Sequence, residues 1–91
     1  MICSDIYRFI EARKIIQAVK DYQRYGRKKK LRGQEMIDLE TAKHYIFDDD
    51  STLERDIEVW GFYDVISVEE IRKVAKNSLL RDANLEKLMS K

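Results

Sequence analysis

Six cationic side chains fall within ten residues of this chain, in the run Arg24-Tyr25-Gly26-Arg27-Lys28-Lys29-Lys30-Leu31-Arg32-Gly33. Cations at this density contact phosphates by charge, and the tyrosines beside them, Tyr22 and Tyr25, can stack on bases. The run therefore predicts a surface for DNA or RNA built from Arg24, Arg27, Lys28, Lys29, Lys30 and Arg32. It also reads as a solvated loop, kept for solubility or neutralised by the acidic triplet Asp48-Asp49-Asp50.

The other reactive groups point to no chemistry of their own. Carboxylate oxygens are the ligands of Ca²⁺ and Mg²⁺, but a calcium loop counted from Asp48 needs glycine at its sixth position and glutamate at its twelfth. Leu53 and Val59 stand there, and no metal is expected. His44 is the single histidine and Cys3 the single cysteine. Pairing them as base and nucleophile would require the chain's first turn to pack beside a charged helix. Glycine-rich phosphate loops, zinc spacings and nucleophile elbows are missing, so neither catalysis nor a cofactor is expected. The segment from Ser51 to Lys76 has the outline of a helix-turn-helix. Its second helix opens with Glu69 and Glu70, which would face phosphates, and two adjacent core helices are the better reading. Trp60, Phe62 and Tyr63 form the densest aromatic group; they suit a core and equally a partner-binding anchor.

Charge is divided along the chain. Residues 1–34 carry a net of +7, residues 35–70 a net of −10 and residues 71–91 a net of +4, so the overall +1 conceals a polarised molecule. Tyr25-Gly26-Arg27-Lys28-Lys29 resembles the arginine-rich peptide of lentiviral transactivators over five residues. It departs at Leu31 and Gly33, and the resemblance implies nothing further. One cysteine excludes an internal disulfide, no apolar run approaches the length of a membrane span, and charged residues interrupt the N-terminus where a signal peptide would be apolar. A cytoplasmic protein without membrane contact is expected.

The elements that must position these groups read as helices. The chain has no proline and three glycines, Gly26, Gly33 and Gly61, which serve as punctuation. Ser4 can cap a first helix running to Tyr25, with Phe9, Ala12, Ile15, Ile16, Val19 and Tyr22 on one face and Gly26 beyond its end. Asp38 can cap a short second helix to Phe47, carrying Ile37, Leu39, Ala42, Tyr45 and Ile46. Ser51 with Glu54, and Ser67 with Glu70, are capping-box patterns that launch a third helix (Thr52 to Trp60) and a fourth. The fourth buries Val68, Ile71, Val74, Ala75 and Leu79, and Leu85 and Met89 rejoin that face if the helix continues. Asn77-Ser78 or Arg81-Asp82 could break it. Residues 58–66 read as helix stop and extended link, or alternatively as a small hairpin.

The predicted fold is a single all-α domain over residues 1–91, of four to five helices with a basic loop between the first two. The predicted function is that of a small non-enzymatic nucleic-acid-binding or regulatory protein. The alternative is a protein-binding module, an inhibitor or adaptor of the kind mobile elements encode, acting through its acidic middle and aromatic patch. A homodimer is expected, since a chain this short has little core, the aromatic cluster needs cover, and residues 24–32 and 48–58 offer opposite charges to a two-fold partner.

Overall fold

The computed structural model describes residues 2–77 and residue 88, with side chains described from residue 6 onward. Four helices follow one another: α1 (Ile2–Tyr25), α2 (Gly33–Phe47), α3 (Leu53–Val59) and α4 (Val68–Lys76), with a 3-10 turn at Phe62–Asp64 between the last two. The fold is all-α, and no strand occurs among the described residues. The hairpin alternative for residues 58–66 is replaced by helix, glycine and 3-10 turn.

The spine is α1. Ala12, Ile15 and Val19 are spaced three and four apart, fall on one stripe and are fully buried. Against them close Ala42 and Ile46 of α2, Leu53 and Ile57 of α3, Phe62 and Ile66 of the turn, and Ile71, Val74 and Ala75 of α4, joined by Leu88. The expected stripe is too long at its start, because Phe9 is 47% exposed. At 1.5 Å per residue, α1 runs about 36 Å and α2 about 22 Å, so the first turns of α1 extend past the helix that covers the rest. Ser4 lies inside α1 rather than capping it. Gly26 ends the helix as expected: its N–H donates to the Tyr22 carbonyl at 2.9 Å, and a Cβ there would stand 2.6 Å from that oxygen.

The second helix begins six residues earlier than expected, with Arg32 rather than Asp38 at its N-cap. Glu35 supplies the missing cap, its carboxylate accepting the Arg32 backbone N–H at 3.1 Å. Asp38 instead accepts from the Gln34 side chain, and Ile37 is exposed. The Ser51–Glu54 capping box does not form, because Ser51 is drawn elsewhere. Its hydroxyl donates to the Tyr45 carbonyl at 2.7 Å and accepts from the Leu53 N–H at 3.3 Å. One residue on, Thr52 and Tyr45 both donate to the carboxylate of buried Asp56, at 3.0 and 2.9 Å, which ties α2 to α3. At α4 the serine half of the expected box is present, with Ser67 Oγ accepting the Glu70 N–H at 3.1 Å. That helix ends at Lys76. Leu79, Leu85, Met89 and any fifth helix lie outside the described residues.

The turn after α3 is the one place with a left-handed backbone. Gly61 has φ +72°, which folds the chain back and inserts Phe62 into the core. Arg8 holds this turn from α1, donating to the Trp60 carbonyl at 2.8 Å and the Gly61 carbonyl at 3.4 Å, with its guanidinium 4.6 Å above the Phe62 ring.

Two expectations follow. Phe62→Ala should cost about 3–5 kcal/mol in urea unfolding, whereas Phe9→Ala should change stability by about 0.5 kcal/mol or less. Burial, reinforced by the hydrogen bond to Asp56, pushes the Tyr45 phenol well above its ordinary value of 10. The raised value favours the neutral phenol in the folded state, so its contribution is intact below pH 10 and lost as pH rises further. Urea midpoints measured from pH 8 to 11.5 should therefore fall more steeply for the wild type than for Tyr45→Phe.

Candidate nucleic-acid interface

The basic loop spans residues 26–32 and joins two antiparallel helices, so it sits at one tip of a molecule 44 Å long and 25 by 22 Å across. The six expected site residues are brought together there, but they are not equivalent. Arg24 belongs to the last turn of α1, and Arg32 is the N-cap of α2. Lys28 is paired with Glu35 at 2.5 Å, and this bond is the main reason the Glu35 carboxyl is held below its ordinary value of 4.5, with the Arg32 N–H adding to it. Arg24, Arg27, Lys29, Lys30 and Arg32 are exposed and make no ion pair with any described residue. The Asp48–Asp50 triplet therefore does not neutralise the loop. Asp48 bonds His44 at 2.5 Å, Asp49 meets Arg72 at 3.4 Å, and Asp50 is exposed.

Tyr25 does not offer a free stacking face. It is half-buried, with Arg24 at 5.5 Å and Lys28 at 5.9 Å from its ring centre. Tyr22 packs its ring against Phe47 at 5.0 Å. What remains is a charge surface.

The fold adds cations that the sequence reading left out of the site. Gln23 donates to the Val74 carbonyl at 2.9 Å, which sets the last turn of α4 against the last turn of α1. Exposed Lys73 and Lys76 are thereby carried near the last turn of α1, with the Lys76 ammonium 5.3 Å from the centre of the Phe47 ring. Their position at the end of α4 is legible as a complement to the helix dipole. Their nearness to α1 depends on a contact across 51 residues.

The expected partner-binding group divides. Phe62 is fully buried within the chain, which is the core reading of the group rather than that of an exposed anchor. Its place in the core follows from the Gly61 turn. Trp60 is half-covered, with the Tyr7 ring 6.4 Å away, and Tyr63 is 64% exposed. Among the described residues no three His, Cys, Asp or Glu side chains converge to hold a metal, and His44 is an exposed helix-surface residue. None of the described helices is long and apolar enough to cross a membrane. No protein-family model, curated protein or solved structure matches the chain.

The Lys28–Glu35 pair carries a pH signature. A carboxyl held low contributes its stability above its unfolded value of 4.5 and loses it as pH falls through the folded one. Titration followed by NMR should place the Glu35 midpoint below 4.5. Lys28→Met should move it back up, though not fully, because the Arg32 N–H still favours the charged form.

Proposed function

We propose that this chain is a non-enzymatic nucleic-acid-binding protein whose basic tip contacts phosphates with little preference for base sequence. The supporting observation is the set of five exposed cations, Arg24, Arg27, Lys29, Lys30 and Arg32, free of ion pairs with the described residues and crowded into nine residues at the end of α1 and the loop after it. Neutralising phosphates releases condensed counterions, and a cluster of unpaired cations needs no further rearrangement to do so. The low sequence specificity follows from what accompanies the cluster. The tyrosine nearest the loop is already flanked by cations, and α4 begins with Glu69 and Glu70 instead of residues able to read base edges.

The test is a salt series of binding to a duplex oligonucleotide. Five phosphate contacts give a slope of log affinity against log salt of about −4 to −5, and a shallower slope of about −3 to −4 on a single strand. Reversing Arg27, Lys29 and Lys30 to glutamate should abolish binding with the helical circular dichroism unchanged, because an exposed loop is altered. Glu35→Gln should steepen the slope by about one, since it frees Lys28 while leaving an oxygen to accept the Arg32 N–H. Unchanged binding in the triple reversal would remove the loop from this role.

A further inference from the structure

A groove lies between α3 and the start of α4. It encloses about 610 Å³, with Ile57, Ile66 and Val68 among its lining and the carboxylates of Glu54, Glu58 and Glu69 around it. Exposed Tyr63 also borders it, and no lysine or arginine does among the described residues. Glu54, Glu58 and Glu69 make no hydrogen bond or ion pair through their carboxylates with any described residue. The nearby Arg72 is engaged elsewhere, on the Ile46 carbonyl at 2.7 Å and on Asp49.

We infer that this groove receives the basic loop of a second copy of the chain. An apolar floor with an acidic rim fits side chains that have an apolar stem and a cationic end. Lysine and arginine have that form, since their methylene stems can cover apolar surface while the charged ends remain at its edge. The loop offers Arg27, Lys29, Lys30 and Arg32 in this state, exposed and without an ion pair to any described residue.

Within one chain the loop does not occupy the groove: none of its cations pairs with Glu54, Glu58 or Glu69. A second copy can supply the loop, and a two-fold arrangement then forms the contact twice and closes the assembly. This inference does not rest on nucleic-acid binding, because the groove is a separate surface and its occupant is peptide.

The test uses a labelled peptide of residues 24–33 and the full chain. The peptide should bind the full chain saturably in low salt. The full chain variant Glu54→Gln, Glu58→Gln, Glu69→Gln should bind it about tenfold or more weakly, as loss of three exposed charge contacts implies. These glutamates are exposed or half-exposed at the rim, and matching circular dichroism of variant and wild type checks that the fold is retained. A peptide with Lys29 and Lys30 replaced by glutamate should not bind. Sedimentation of the wild-type chain at high protein concentration and low salt should show a mass near twice 10.9 kDa, returning to one in high salt or in the triple variant. Equal peptide binding by the wild type and the triple variant would overturn the inference. So would a wild-type chain that stays monomeric in low salt, or a dimer that persists in the triple variant.

Discussion

The structure depends on a narrow constraint: one stripe of α1, Ala12-Ile15-Val19, is the surface against which the rest of the core closes. In a chain with 38% charged residues, few positions remain from which to build an interior. Each fully buried aliphatic or aromatic side chain contributes about 1.5–3 kcal/mol, offset by the conformational entropy of ordering the chain. The margin is accordingly sensitive to how the stripe is closed at its ends. At one end Gly26 stops α1 before its next turn can form. Toward the other, Phe62 fills the core and Arg8 fixes the turn that delivers it. Arg8 is a polar residue that secures an apolar contact, satisfying two carbonyls freed by the end of α3 while its guanidinium lies over the ring.

That same economy sorts the charges. Because α1 and α2 are antiparallel and joined by the loop, the basic run is placed at a tip, where its side chains are exposed. The acidic residues of the chain's middle are shared out: Glu35, Asp38 and Glu40 lie on α2, Asp48, Asp49 and Asp50 follow it, and Glu54, Asp56, Glu58, Asp64, Glu69 and Glu70 are carried by α3, the 3-10 turn and the first turn of α4. Helix α4 is itself divided, beginning with Glu69 and Glu70 and ending with Lys73 and Lys76 near the last turn of α1. A near-neutral chain thus carries surface patches of opposite sign, and the field at each patch acts on partners that the net charge of +1 would not attract.

What was legible in the sequence was local. The glycine stop at Gly26, the serine cap at Ser67 and the helical period of Ala12, Ile15 and Val19 each involve residues within a turn or two of one another. The helix class followed from them. The failures arose where a distant or unusual partner won. Ser51 has the spacing of a capping box, but the Tyr45 carbonyl takes its hydroxyl proton and Asp56 engages the next residue. The start of α2 was missed because a glutamate accepts the N–H of an arginine N-cap, a cap for which arginine gives no sequence signal. The basic site was legible as a run of six, yet Lys28 is engaged by Glu35, and only packing brings the last turn of α4, with Lys73 and Lys76, near the last turn of α1. The aromatic triad looked like one patch in sequence. A left-handed glycine sends its members to different places, with Phe62 inward and Tyr63 outward.

The two proposed uses of the loop draw on the same cations, so they exclude one another. In the groove the loop meets three carboxylates, whereas duplex DNA presents one phosphate charge about every 1.7 Å along its axis and releases counterions when bound. The denser polyanion should win when both are present. Self-pairing would then cover the basic tip when no nucleic acid is available, limiting its attraction for unrelated acidic surfaces. The ion pairs in such a contact are exposed and individually weak, about 0–1 kcal/mol each, which keeps the pairing reversible. Nor does release require refolding: the loop is anchored at Gly26 and Gly33 by the same helix ends in either state, and only its side chains exchange partners.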